Sequence, residues 1–365
     1  MTTLTRRALN RALLARQMLL EREISTAADG VARLVGMQAQ VARPPFVGLW
    51  TRVQGFQRAE LARALQERTI VRVTAMRGTL HLMTTADYAA MRGVLHPMLT
   101  RGAQSILRDR TSTFDMDAVI AEARRFFGKT PATFDALRNH LVQKFPDGDE
   151  RAMGYAVRTH LPLVQVPTDA LWAFPAAADF ALADGWLGRS ISTSAASAET
   201  LVLRYLGAFG PATPADAQAW SGMNGLRDVF EALRPSLVTF RDERKRELFD
   251  LPSAPRPDED VLAPARFVPD FDNLVLSHAD RTRIVADDHR SRVTLKNLQV
   301  RATFLVDGMV AGTWKSERKR KTAVLVIEPF GALTKRVRAA LDEEGERLLA
   351  FLEDDATERG IRWAT

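Results

Sequence analysis

Two glutamines separated by a single residue, Gln38 and Gln40, lie in the stretch LVGMQAQVARPPFVGLW (residues 34–50), where most other side chains are apolar or turn-forming. A carboxamide accepts hydrogen bonds through its oxygen and donates them through its nitrogen without carrying a charge. Such a pair is able to orient a water molecule or another small polar group. The alternative is that the amides cap a helix end or face solvent.

The backbone around these glutamines decides whether the two amides can act together. In an extended or turning segment, a spacing of two residues places both side chains on one face, whereas in a helix they would diverge by about 200°. The pair Pro44–Pro45 disfavours helix immediately upstream. The sequence therefore predicts a non-helical segment with both amides on the same side.

Composition excludes several kinds of chemistry. The chain has no cysteine, so disulfides, iron–sulfur clusters, thiolate zinc sites and cysteine nucleophiles are ruled out. Its six histidines are scattered, without a pair at the i, i+4 spacing of a helical metal site. We predict no metal and no cofactor. The longest apolar runs are too short to cross a bilayer, and the basic N-terminal helix pattern runs on without a cleavage-like break, so we expect a cytoplasmic protein.

The charge favours a nucleic-acid partner. The net charge is +7 with a sequence pI of about 10.0, and 43 of the 51 basic residues are arginine. The planar guanidinium suits phosphate and guanine edges better than the lysine ammonium does. A GC-rich genome is the other explanation for this arginine content.

A helical stretch followed by a two-stranded hairpin occurs three times. The hairpins are predicted at residues 70–84, 161–175 and 236–252, with turns at Arg77–Gly78 and Thr168–Asp169 and a charged tip in the third. Helix-turn-helix followed by such a wing is a winged helix. We therefore predict an α+β fold with three tandem winged helix-turn-helix units; the alternative is three small packing modules.

The helices before the second and third hairpins share the same type of start signal. Thr130–Pro131 and Thr213–Pro214 each open a short helix, because proline is favoured at the first helical position. A further helix follows each, at residues 151–161 and 224–234.

After a polar linker at residues 255–260, the pattern changes to strands and one final helix. The strands are predicted at 273–277, 282–286, 301–314 and 322–329, and the amphipathic helix at 332–354. Asp307–Gly308 predicts one hairpin, and KSERKRK (315–321) places five basic residues at the tip of another. The predicted domains are residues 1–115, with the glutamine pair, then 116–190, 191–257 and 258–365.

Four segments resemble one known family, the AlkZ/YcaQ-type winged-helix DNA glycosylases. They occur in the family's order and at suitable separations, and four in register are more specific than any one alone. The segments are GMQAQVARPPFVGLWTRV (36–53), TAMRGTLHLMT (74–84), VPDFDNLVLSHADRTRIV (268–285) and FLVDGMVAGTW (304–314).

This resemblance implies three tandem winged helices and a small C-terminal β-barrel, which together form a C-shaped channel for double-stranded DNA carrying alkylated purines. It implies a monofunctional glycosylase that excises bulky N7-alkylguanine adducts and unhooks interstrand crosslinks. Gln38 and Gln40 match the Gln-x-Gln branch, whose members resemble self-resistance enzymes against DNA-alkylating natural products; Ala39 is smaller than the usual middle residue. We expect a monomer.

The chemistry implied by the resemblance suits two amides, and we predict that Gln38 and Gln40 are catalytic. A guanine alkylated at N7 is already cationic, so it leaves without being protonated. What remains is to stabilise an oxocarbenium-like sugar and to hold a water near the anomeric carbon. An amide oxygen can accept a hydrogen bond from that water, while an amide nitrogen donates to sugar or phosphate.

The predicted DNA contacts fall in three segments. They are Arg77, Thr79 and His81 on the first wing, His278, Arg281 and Arg283 in the segment HADRTR, and Lys315, Arg318, Lys319, Arg320 and Lys321 at the basic tip. The alternatives are structural hydrogen-bond networks and an ordinary solvated turn. Asp270 and Asp272 are the nearest carboxylates for conventional acid–base catalysis, or else turn formers.

A second function from another class remains open. The chain would then be a non-catalytic winged-helix DNA-binding protein, either a regulator or a factor that sequesters damaged DNA. Higher affinity for undamaged than for damaged DNA would favour it.

Overall fold

The computed structural model describes residues 2–364, without the side chains of residues 103, 105, 106, 108 and 109. Positions 1 and 365 of the predicted first and last domains lie outside this range. The described chain combines helices with three β-sheets, which confirms the predicted α+β class. No described helix has both the length and the apolarity needed to span a bilayer.

The elements are numbered in chain order. The first predicted domain contains β1 (Thr3–Leu4), α1 (Arg6–Arg16), α2 (Ala27–Arg33), β2 (Met37–Gln38), α3 (Pro44–Trp50), α4 (Arg58–Gln66), β3 (Ile70–Thr74), β4 (Leu80–Thr84) and α5 (Thr85–Leu107). The second contains α6 (Met116–Phe127), α7 (Phe134–Lys144), α8 (Glu150–His160), β5 (Leu163–Gln165), β6 (Phe180–Leu182) and α9 (Ala183–Leu187).

The third predicted domain contains α10 (Glu199–Phe209), α11 (Pro214–Ser221), α12 (Leu226–Leu233), β7 (Val238–Asp242) and β8 (Glu247–Asp250). The last contains β9 (Arg266–Val268), α13 (Arg290–Val293), β10 (Thr303–Val306), β11 (Met309–Lys319), β12 (Thr322–Pro329), α14 (Lys335–Leu352) and β13 (Glu358–Trp363).

Side-chain caps set where the two predicted Thr-Pro helices begin. Pro214 is the first residue of α11, and Thr213 and Asp216 form a reciprocal capping box, which confirms that start. The other start is wrong: α7 begins after Thr133, whose hydroxyl accepts from the Ala136 N–H at 3.1 Å, rather than at Thr130–Pro131.

One five-stranded antiparallel sheet, in the order β2-β4-β3-β5-β6, joins the first two predicted domains. The hairpin at 70–84 is confirmed as β3 and β4, and that at 236–252 as β7 and β8. The second hairpin is wrong in its return strand, because β5 pairs with β6 and not with residues 170–175. The intervening chain first passes through the core, where Phe174 and Ala178 are buried.

The C-terminal sheet is open. Its order is β13-β12-β11-β10-β9, and the end strands β9 and β13 pair with one neighbour each, so the predicted closed β-barrel is wrong. Helix α14 packs on this sheet through Leu341 and Leu348 instead. The Asp307–Gly308 turn and the β11–β12 hairpin are confirmed.

Two predicted strands in this region are also wrong. Residues 273–275 form a 3-10 helix, because the Asp272 carboxylate caps it by accepting from the Leu274 N–H at 2.9 Å. Residues 282–286 form no strand, although Ile284 and Val285 are buried. Their apolar pattern reflects core packing in an irregular segment.

The largest core cluster spans the whole chain. It includes Leu13, Val164, Trp220 and Val268, one residue from each predicted domain. Packing of this kind places segments distant in sequence at fixed positions relative to one another. The assignment of the helix–hairpin units as winged helices, the domain limits and the C-shaped channel remain predictions.

Candidate active site

Gln38 lies in the edge strand of the five-stranded sheet, and Gln40 follows in a bend after that strand ends. Gln38 in β2 is directly opposite His81 in β4. Met37 and Ala39 pack into one core cluster, so Gln38 and Gln40 alternate with them toward the other side. The prolines at 44 and 45 begin α3 and are not a helix end. The predicted non-helical backbone is therefore confirmed.

Arg77 holds the amide of Gln38 in place. It donates to the Gln38 Oε1 at 2.7 Å, to the Asn273 Oδ1 at 3.3 Å and to the Trp220 carbonyl oxygen. These partners come from the first, fourth and third predicted domains. The pKa of Arg77 is lowered to about 10, mainly by burial and secondarily by the positive charge of Arg281. The guanidinium therefore stays charged at neutral pH. Arg77 therefore fixes the Gln38 amide through hydrogen bonds that also reach two other parts of the chain.

A small pocket adjoins Gln38. Its walls include Gln17, Gln38, Arg52, Asp270 and Asn273, and its volume is about 10 Å³. This is on the scale of one water molecule, and the walls supply several polar partners for it. Because Gln38 is only 8% exposed, its free amide N–H₂ is confined to these surroundings.

The two nearby carboxylates differ in their contacts. Asp272 is buried and receives two hydrogen bonds from Arg52, at 2.8 and 2.9 Å, besides capping the 3-10 helix. Asp270 is half-buried and accepts from the Ala302 N–H at 3.2 Å. Burial raises the pKa of the Asp270 carboxyl, against the opposing charge of Arg43. Both carboxylates line the pocket, but Asp272 is engaged by Arg52 and by the helix cap, whereas Asp270 has fewer hydrogen-bond partners.

Gln40 faces a second, larger space. It is exposed, its Oε1 accepts from the Leu80 N–H at 3.2 Å, and it lines an open cleft of about 580 Å³. Arg72 fixes this part of the motif by donating to the carbonyl oxygens of Ala39 and Gln40. Gln38 lines the small pocket and Gln40 lines the cleft, so both spaces border the same short segment of chain.

Several predicted DNA contacts are buried within the protein. His81 has no exposed surface, and its Nδ1 lies 3.0 Å from the Thr79 carbonyl oxygen. His278 lies between the Ser277 hydroxyl and the Phe209 carbonyl, and Arg283 donates to the Pro211 carbonyl. Buried side chains with such partners cannot reach a duplex without rearrangement, so we leave these three out of the proposed DNA surface.

Two other predicted contacts are half-buried. The Thr79 hydroxyl donates to the Met76 carbonyl oxygen at 3.1 Å. Arg281 donates to the Thr294 hydroxyl at 3.2 Å. Asp280 pairs with Arg244 and Arg246.

The basic tip, residues 315–321, contains cations with ion-pair partners and cations without them. Lys315 pairs with Glu317, and Arg318 pairs with Glu353 and Asp355. Lys319, Arg320 and Lys321 are exposed around the β11–β12 turn, and none of them has an ion pair among the described residues. These last three side chains are available to phosphates.

Sequence reasoning did not single out three residues that line these two spaces: Arg52 at the small pocket, and Arg72 and Gln165 at the cleft. An arginine inside the apolar strand IVRVT was a usable signal for Arg72, because a buried guanidinium must find acceptors. Nothing in the sequence pointed to Gln165, whose surroundings come from another predicted domain.

Two buried histidines make the fold sensitive to acid. Burial, followed by the charges of Arg77 and Arg283 respectively, lowers the pKa of His81 and of His278 to about 3. The unfolded chain binds these protons near the ordinary pKa of about 6.5. Stability is therefore full above that pH and is lost as the pH falls toward 3, by about 2 kcal/mol per histidine at pH 5. Urea unfolding at about pH 7.5 and about pH 5 measures this loss.

A pair of variants isolates the contribution of His81. His81→Leu should reduce the loss between these two pH values by about 2 kcal/mol. As a control without a titratable group, Met83→Leu at another buried position of β4 should leave the loss unchanged. An unaltered pH dependence in His81→Leu would contradict the assignment.

Fold and site together describe a basic α+β protein in which one amide, held by Arg77, lines a water-sized pocket and a second amide lines an open cleft. The profile of a family described as DNA glycosylase AlkZ-like matches residues 31–351. The chain belongs to this family. The resemblance noted in the sequence and the predicted enzyme class, DNA glycosylase, are thereby confirmed.

Two comparisons with individual proteins agree with this membership. The chain is 26% identical over 341 residues to an interstrand DNA cross-link repair glycosylase from Streptomyces sahachiroi, covering 86% of this chain and 88% of that protein. The solved structure of Streptomyces sahachiroi DNA glycosylase AlkZ is similar in fold, with a TM-score of 0.80 at 22% identity and full coverage of both chains.

Proposed function

We propose that this protein is a monofunctional glycosylase that hydrolyses the N-glycosidic bond of bulky N7-alkylguanines in double-stranded DNA. The observation that carries the proposal is the amide of Gln38, held by Arg77 beside a water-sized polar pocket. An N7-alkylated guanine already has a positive charge, so the bond from N9 to the anomeric carbon breaks without a proton donor. The electron pair of that bond neutralises the base, and water adds to the sugar cation.

The contacts at the site refine the role of each group. The Gln38 oxygen already accepts from Arg77, so its N–H₂ is the group left to contact the water or the sugar. The water also needs an acceptor for one of its hydrogens, and the Asp270 carboxylate lines the same pocket. In this scheme Asp270 receives the proton that the water loses as the new C–O bond forms. Orientation by these groups accounts for the catalysis.

A direct assay tests the proposal. The purified protein should release N7-methylguanine from a duplex and leave an abasic site, with equal rates in the presence and absence of a chelator. Undamaged guanine in the same duplex should stay bonded. Failure to release any alkylated base, together with tighter binding to undamaged DNA, would establish the non-catalytic binder instead.

The basic tip is proposed to contact DNA phosphates. Replacing Lys319, Arg320 and Lys321 together by alanine should weaken duplex binding, because exposed unpaired cations release counterions on binding. The slope of log K against log salt should fall by about 1 to 3. Binding titrations at several salt concentrations measure both quantities.

The matched control for the tip is Lys335→Ala with Arg336→Ala, two exposed cations at the start of α14. This control should change the salt slope less than the tip variant does. An unchanged slope in the tip variant would remove the hairpin from the proposed DNA surface.

The wider roles are part of the same proposal. A monomer holding the duplex in a C-shaped channel would also unhook interstrand crosslinks made through N7 of guanine, and would act in self-resistance to a DNA-alkylating natural product. The cross-link repair named for the Streptomyces sahachiroi relative supports the first role. Survival of a sensitive host expressing this chain, challenged with a bifunctional alkylating agent, tests both.

A further inference from the structure

The open cleft beside Gln40 is built by two predicted domains. Gln40 and Arg72 form one side, Phe134 at the start of α7 and Arg158 in α8 form another, and residues 174–178 form a third. At about 580 Å³ it has the size of a small-molecule site and is far larger than a methyl group needs.

One polar side chain in this cleft lacks a partner. Gln165 lines the cleft, is 9% exposed, and its Oε1 accepts no hydrogen bond among the described residues. An unsatisfied buried acceptor is costly, which makes a ligand that supplies a donor favourable. The torsion at the end of a glutamine side chain is soft, so the amide can turn this oxygen toward the cleft.

Part of the remaining wall consists of two arginine–phenylalanine pairs, which suit a flat group. Arg158 lies over the ring of Phe134 at 4.6 Å, and Arg72 lies over the ring of Phe174 at 4.7 Å. Arg158 has no ion pair among the described residues. Guanidinium planes and phenyl rings of this kind both stack on aromatic ligands.

We propose that this cleft receives the substituent carried on N7 of the damaged guanine, and that it selects planar aromatic substituents bearing a hydrogen-bond donor. This inference rests on the proposed glycosylase function, with Gln40 at the junction between the scissile sugar and the cleft. Arg72, Arg138 and Arg158 line the cleft and would also attract a phosphate. A phosphate oxygen, however, brings no hydrogen-bond donor to the buried Gln165 oxygen. The donor of an aromatic substituent would instead complete the hydrogen bonding of Gln165.

Three duplexes test the selectivity: one with N7-methylguanine, one with N7-benzylguanine and one with N7-(4-hydroxybenzyl)guanine. Single-turnover excision rates are taken after subtracting spontaneous loss of the base. The wild type should excise the hydroxybenzyl adduct about tenfold faster than the benzyl adduct, because one buried hydrogen bond separates them. Gln165→Leu should abolish this difference and leave the methyl rate unchanged.

Two more variants complete the test. Phe134→Ala should slow excision of both benzyl adducts about tenfold relative to the methyl adduct, through lost stacking. Gln143→Leu, an exposed glutamine on α7 outside the cleft, should match the wild type on all three duplexes. The methyl rate reports whether each variant is folded.

The outcomes distinguish failure of the substituent site from failure of the proposed glycosylase function. If the wild type excises none of the three bases, the glycosylase proposal and this inference both fail. If it excises all three at equal rates, or if Gln165→Leu keeps the preference for the hydroxyl, only the substituent site is overturned.

Discussion

Replacing Gln38 and Gln40 together by alanine is expected to slow single-turnover excision of N7-methylguanine by about 10²- to 10³-fold. That corresponds to about 3–4 kcal/mol of lost transition-state stabilisation. The loss is bounded because the leaving group is already cationic and needs no acid. The rate constant with excess enzyme over substrate measures this step without product release.

The two single variants should differ. Gln38→Ala should account for most of the loss, since Gln38 faces the water-sized pocket, whereas Gln40 faces the open cleft. Gln143→Ala, at an exposed helical position, serves as the matched control. The affinity for the duplex should change little in Gln38→Ala, in Gln40→Ala and in the double variant. A double variant that keeps the full rate would remove both amides from the mechanism.

Breaking the ion pair between Arg52 and Asp272 is expected to cost about 3–5 kcal/mol of the free energy of unfolding. Both side chains are nearly fully buried and bonded through two contacts of 2.8 and 2.9 Å. Removing the Asp272 charge with Asp272→Asn would leave the Arg52 guanidinium buried without a counter-charge. Urea unfolding at neutral pH measures the loss.

A double variant distinguishes pairing from packing. Arg52→Met combined with Asp272→Leu removes both charges, so it should lose less stability than Asp272→Asn alone. The double variant also loses the cap on the 3-10 helix, so its free energy of unfolding should stay below that of the wild type. The single variants Arg52→Met and Asp272→Leu complete the cycle. If the double variant loses as much stability as these two single variants added together, the charges are not coupled.

Much of the local architecture could be predicted from the sequence. Alternating apolar residues and turn signals located the hairpins β3–β4, β7–β8 and β11–β12, because these features depend on neighbours within about ten residues. The Thr213–Pro214 helix start followed for the same reason. The return strand of the second hairpin and the closure of the last sheet were wrong, because both depend on how distant segments pack.

The sequence by itself determined the family, the non-helical backbone at the glutamine pair and the exclusion of cysteine chemistry, since motif order, proline placement and composition require no knowledge of the fold. Only the tertiary structure decided what each polar side chain does. Arg77 contacts Gln38, Trp220 and Asn273 at once, and only the fold shows that these three remote segments meet at one side chain. Hydrogen bonds and burial depend on distance in space, and a shared hydrophobic core sets those distances.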